Sequence, residues 1–169
     1  MKALHLLIPV FLIMVSGCKI LKKQSDVEVK TGMISLKEVK KYKWFRQEYR
    51  NYKIKKEVAD SIKIMEKCEI VIFGGEWCGD TKEQLPRFIK ILKHLHFKTE
   101  NIIIIMVDRK KECPNCGDYN TESFDINFVP SFIILEDQFG KEIGRIVETP
   151  KKSLEEDLLK IIATKTQNH

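Results

Sequence analysis

The sequence predicts an α/β fold: a mixed central sheet flanked by helices, with an extra helical segment ahead of it. Three observations carry this expectation. Ile70-Val71-Ile72-Phe73 is an apolar run of strand length that stops at Gly74-Gly75, and Thr81 to Leu92 then places apolar residues at helical spacing. Ile102 to Val107 is a continuous apolar run, as in strands buried on both faces. Phe128 to Leu135 and Ile143 to Val147 flank a turn at Asp137-Gln138-Phe139-Gly140 and predict an antiparallel hairpin.

Taken in chain order, residues 1–17 carry one charge, Lys2, and an apolar run from Ala3 to Val15, the pattern of a secretory signal peptide. The run is shorter than the roughly 20 apolar residues a membrane span needs. Val15-Ser16-Gly17-Cys18 resembles the bacterial lipoprotein signal box. That resemblance implies that Cys18 is lipidated as the first mature residue, anchoring the protein to a bacterial membrane in the cell envelope, facing the periplasm or exterior. Residues 18–34 are polar and aperiodic and read as a linker, and residues 35–169 as one domain with an N-terminal helical extension.

The 30 lysines and arginines outnumber 24 carboxylates, giving a net charge of +6. The lysines come in scattered pairs such as Lys22-Lys23 and Lys110-Lys111, which suits a solvated surface and not a nucleic-acid footprint. Lys19, Lys22 and Lys23 follow the lipid site and would favour anionic head groups.

Within the domain, Ser35 and Glu38 form a capping box, and Tyr42, Phe45, Tyr49 and Tyr52 recur at helical spacing as a stripe expected to pack on the core. A second helix is expected over Val58 to Lys67. The helix that follows the first strand begins at Cys78. Ser153 caps the last helix, whose Leu154, Leu158, Ile161 and Ile162 share one face.

A strand, then Trp77-Cys78-Gly79 at a helix start, Pro86 eight residues after the cysteine, a hydrophobic strand, and Val129-Pro130-Ser131 before a hairpin resemble the thioredoxin family over roughly residues 58 to 164. The resemblance implies a thioredoxin-like sandwich in which Cys78 is the attacking cysteine, Trp77 flanks it and Pro130 is a cis-proline facing it. Val129 would then offer backbone hydrogen bonds to a substrate, and Gly79, Asp80 and Thr81 would line the site. A helix N-terminus favours the reactive thiolate, and the carboxylates of Asp80 and Glu76 oppose it. Thr81, one turn along the helix, is placed to hydrogen-bond the sulfur.

Thr81 also marks a departure, because it stands where the family's resolving cysteine belongs. A substrate caught on Cys78 must be released by an external thiol or by a distant cysteine of this chain, or the protein does not turn over. Cys113 and Cys116 are the distant candidates: a structural disulfide, a relay partner for Cys78, or half of a zinc site. The other half of such a site is missing, since His94 and His96 point to different faces, so no metal and no cofactor is expected. Cys68 is expected to be a packed, inert thiol.

The resulting expectation is a membrane-tethered protein performing thiol-disulfide exchange on exported protein or small-molecule thiols and disulfides. The alternative is a redox-inactive peptide-binding or assembly lipoprotein of the same fold.

Overall fold

The computed structural model describes residues 30–63 and 67–166; the expected signal peptide, Cys18 and the linker up to residue 29 lie outside the described residues. In chain order the elements are β1 (Gly32–Met33), α1 (Leu36–Val39), α2 (Lys43–Asn51), α3 (Lys56–Ala59), β2 (Glu69–Gly74), α4 (Gly79–His94), β3 (Ile102–Met106), β4 (Ser131–Leu135), β5 (Glu142–Val147) and α5 (Leu154–Thr166). The strands form one five-stranded sheet in the order β1-β3-β2-β4-β5. Only β2 and β3 run parallel; β1 with β3, β2 with β4, and β4 with β5 are antiparallel. The strand candidates and the hairpin are therefore where the apolar runs predicted them.

β2 lies at the centre of the sheet, so all six of its residues are buried and its side chains divide between two cores. Ile70 and Ile72, with Ile104, Met106, Phe132 and Ile134, face the helices α2, α4 and α5. Phe88 of α4 meets Phe132 with ring centroids 4.4 Å apart. α5 approaches β5 so closely at Gly144 that a Cβ there would lie 2.9 Å from Ile161. Val71, Phe73, Ile105 and Ile133 face the other way, where residues 107–130 form no regular element and cover the sheet with Cys113, Cys116, Tyr119 and Ile126.

Four expectations need correction. The supposed linker ends inside the fold, because Gly32 and Met33 pair with Met106 and Ile105, and Ile34 is buried with its N–H donating to the Ile104 carbonyl at 2.9 Å. The helix starting at Ser35, whose capping box is present, breaks after one turn; Tyr42 is extended and starts α2 anew. The helix expected over Val58 to Lys67 is only Lys56–Ala59, with a turn at Asp60 and Ser61, and residues 64–66 lie outside the described residues. The strand expected from Phe128 begins at Ser131, after the cis Val129–Pro130 bond.

The aromatic stripe does pack on the core: Phe45 is fully buried, and Tyr42, Tyr49 and Tyr52 lie half-buried against the same cluster. Its far end is tied to α5. Glu155 is fully buried and accepts the Tyr52 hydroxyl at 2.9 Å and the Lys55 amide at 3.0 Å. Burial and that carboxylate push the Tyr52 phenol well above its usual range. No helix among the described residues is long and apolar enough to cross a membrane.

Candidate functional site

Cys78 sits where β2 has ended and α4 has not begun. Its extended backbone (φ −88°, ψ 128°) makes it the N-cap of α4, and its side chain makes no capping bond. The sulfur instead donates to the Val129 carbonyl at 3.2 Å, across 51 residues of chain. Val129 precedes the cis peptide to Pro130, whose own carbonyl accepts the Glu148 amide at 2.7 Å and so fastens this corner to the end of β5. Cys78 is half-exposed, Gly79 beside it leaves open space, and Phe128 is 55% exposed at the same corner. The predicted group of Cys78, Val129 and Pro130 is thus brought together.

Trp77 is positioned from two sides. Its Nε1 donates to the Val107 carbonyl at 3.0 Å, while the Val107 amide donates to Gly74 at 2.8 Å, so the indole locks the ends of the two parallel strands. The ring lies so close to Gly75 that a Cβ there would be 2.7 Å from it. Gly75→Ala is therefore expected to displace the indole, seen as a shift in tryptophan emission, and to cost on the order of tenfold in any Cys78-dependent activity through loss of positioning. Arg109 lies 5.4 Å over the ring, a cation beside the site that the sequence did not single out.

Thr81 does not line the surface. It is fully buried, and its Oγ1 accepts the Gly75 amide at 3.1 Å. The hydroxyl therefore ties α4 to the end of β2 instead of presenting itself to a substrate, which is a structural use of the position where the family's second cysteine belongs. Asp80 lies in the first helical turn and is half-buried.

The N-terminal segment reaches this neighbourhood. Burial and the Glu76 carboxylate raise the Tyr42 phenol, Trp44 stacks on Tyr42 at 5.4 Å, and Trp44, Gln47, Gly79 and Lys82 line a shallow cleft of about 300 Å³. Neither Tyr42 nor Trp44 had a sequence signal for proximity to Cys78.

Cys113 and Cys116 are joined in a disulfide, buried in the core beneath residues 107–130, the cluster against which Cys78 and Trp77 also pack. A closed bridge is the state shared by a structural staple and an oxidised relay partner. Cys68 is fully buried, as expected. His94 is engaged with Asp60 at 2.7 Å.

The covering loop is also pinned at the far end of β2. Tyr119 donates to Glu69 Oε1 at 2.9 Å, and burial together with that carboxylate raises its phenol to about 12. Folding thus holds the Tyr119 proton more tightly than the unfolded chain does. Stability contributed by the neutral phenol is complete below pH 10, the ordinary tyrosine value, and falls as pH rises from there towards 12. Tyr119→Phe is expected to reduce the alkaline loss of stability between those values, measured as denaturant midpoint against pH.

A family model described as Thioredoxin matches residues 30–160. The match takes in β1 and the aromatic segment, which the sequence reading had placed outside the resemblance. No curated protein matches the chain. Among solved structures, it is similar to a protein of unknown function from Pseudomonas aeruginosa, at 16% identity and a TM-score of 0.48, covering 74% of this chain and 81% of that one. An HIV epitope-scaffold gives 16% and 0.48, with 73% and 81% covered. The germline-specific thioredoxin Deadhead from Drosophila melanogaster gives 19% and 0.37, with 64% and 85% covered.

Proposed function

The chain belongs to the thioredoxin family, and from that premise we propose that it is a membrane-tethered protein performing thiol-disulfide exchange on exported substrates, with Cys78 as nucleophile. The observation that carries this reading is the half-exposed Cys78 sulfur at the N-cap of a sixteen-residue helix, 3.2 Å from the carbonyl that precedes a cis-proline. The helix end supplies unpaired amides and a dipole that favour an anion there.

In the proposed reaction the Cys78 thiolate attacks one sulfur of a substrate disulfide. The substrate S–S bond breaks, a mixed disulfide forms on Cys78, and the other substrate sulfur leaves as a thiolate and takes up a proton. Because Thr81 supplies no local thiol, an external thiol then attacks the Cys78 sulfur and expels the second substrate thiol. A second equivalent of that thiol frees Cys78, so that two thiols become one disulfide. Backbone groups at Val129 and the exposed ring of Phe128 would hold the substrate chain in place.

The rival reading is a peptide-binding lipoprotein without turnover, and the buried Thr81 in the resolving position favours it. The test is release of thiol from a disulfide-bonded peptide in the presence of glutathione, with mass analysis of Cys78. Acceleration over glutathione alone, with an adduct on Cys78, is the expected result. Peptide binding with neither acceleration nor adduct would replace the proposal with the rival.

A further inference from the structure

The charge of this protein is not evenly spread. Residues 30–56, which run through β1, α1 and α2 into the start of α3, carry ten lysines and arginines against two carboxylates, whereas residues 57–169 carry sixteen against twenty. All ten of those cations are exposed. Both carboxylates are already engaged: Glu38 with Ser35 and Lys30, and Glu48 with the Arg87 guanidinium at 2.7 Å. Lys43, Arg46 and Arg50 fall on one side of α2 by helical spacing, away from the buried Phe45.

Beside them is a cleft of about 350 Å³ lined by Lys40, Phe45, Arg46, Tyr49, Arg50 and Lys93, four cations over two aromatic rings with no carboxylate in the lining. Part of this basicity has a local purpose, since the Arg46 guanidinium donates to the carbonyls of Lys40 and Lys41 at the end of α1. That bond satisfies the helix end but leaves the charge uncompensated. Burial and the neighbouring Lys93 both lower the Lys40 ammonium from its ordinary value, the direction expected where like charges meet without a counterion.

We propose that this face, from Lys40 along α2 to Arg50 with Lys93, docks on the anionic head groups of a lipid bilayer. The choice of a bilayer rests on the membrane tether of the proposed function and on chain length. Eleven residues separate Cys18 from Lys30, the first residue of the basic segment, so a lipidated Cys18 holds that segment within about 40 Å of the surface. Attraction at that surface decays over about 8 Å at physiological salt, so the face must sit on the bilayer to gain from it. Docking would fix which way the domain faces, which a flexible tether alone would leave free.

The test uses the mature chain from residue 18 carrying Cys18→Ser, which cannot be lipidated and lacks the apolar signal run that would enter any vesicle, and vesicles of phosphatidylcholine with or without phosphatidylglycerol. Sedimentation with the phosphatidylglycerol vesicles is expected to exceed that with phosphatidylcholine alone and to weaken with salt. Arg46→Glu/Arg50→Glu should reduce it by at least about fivefold for each cation lost. Lys37→Glu/Lys43→Glu, on the same segment, is the second variant should the first lose its folded circular dichroism signal, and it is expected to weaken binding likewise. Lys110→Glu/Lys141→Glu makes the same change in net charge elsewhere and should leave most of the binding.

Equal sedimentation with both vesicles overturns the proposal, as does an equal loss from the Lys110 and Lys141 control. Displacement by millimolar inorganic phosphate overturns it too, in favour of a soluble phosphate ligand. Detergent-phase partitioning of the unmodified chain against Cys18→Ser tests the tether separately, so failure of the anchor and failure of the docking face are read from different measurements.

Discussion

Cys78→Ser is expected to abolish disulfide exchange, lowering the rate of peptide-disulfide reduction by roughly 10³-fold or more while leaving the fold intact. Serine keeps the size and can still donate to the Val129 carbonyl, which the Cys78 sulfur meets at 3.2 Å, so the corner between α4 and the cis-proline has no reason to move. What is lost is the nucleophile, since a hydroxyl is not ionised near neutral pH and forms no mixed disulfide. Among the described residues no other cysteine stands ready to substitute, because Cys113 and Cys116 are paired with each other and Cys68 is fully buried. Coupled measurement of thiol release and melting temperature checks both halves of the prediction. A variant that keeps its activity would move the chemistry elsewhere in the chain.

Glu155→Ala is expected to be the most damaging single substitution at a polar position, costing about 3 kcal/mol in denaturant unfolding. Glu155 is fully buried, and its carboxylate accepts both the Tyr52 hydroxyl and the Lys55 amide. Removing it strands two donors in a water-poor site, and each unsatisfied donor costs about 1–3 kcal/mol. The loss should be felt first where the N-terminal segment joins α5, so exchange of the Tyr52 and Lys55 amides is expected to accelerate ahead of the sheet amides. Tyr52→Phe removes one donor together with its need for an acceptor and should cost less than half as much.

The elements that were legible in the sequence are those whose burial is one-sided or complete over several residues. Ile102–Met106 and Ile70–Phe73 read as strands from their length and β-branched content, and α4 announced itself through apolar spacing between Thr81 and Leu92. β1 could not be read, because a two-residue strand has no period and Met33 is 53% exposed. The break between α1 and α2 was hidden for a different reason: Tyr42 keeps the helical spacing of the aromatic stripe although its own backbone is extended (φ −65°, ψ 138°).

At the site, the residues that came from one stretch of chain were found, and so was Val129-Pro130, through its own motif. Tyr42, Trp44 and Arg109 were missed because only folding brings them near Trp77 and Cys78. For Thr81 the sequence carried no sign of its acceptor role. Its position three residues beyond the N-cap was read as facing the sulfur, but the hydroxyl bonds the Gly75 amide. β2 and α4 lie close at that corner, where a Cβ on Gly74 would lie 2.8 Å from the Thr81 methyl.

The two residues of β1, small as they are, cover the Ile105–Met106 end of one edge of the sheet, and the Ile34 amide extends the cover to Ile104. Without them the open ladder of backbone groups would extend along all of Ile102-Ile103-Ile104-Ile105-Met106, four β-branched side chains and a methionine with no charge and no proline, the composition that recruits identical strands into fibrils. Since Gly32 and Met33 precede β3 by some seventy residues, the guard has already been synthesised when the vulnerable run emerges, and it remains available throughout folding. Its placement in the chain thus acts as protection against aggregation, and a fragment starting at Ser35 should show this by forming thioflavin-positive assemblies at concentrations where the longer chain stays dispersed.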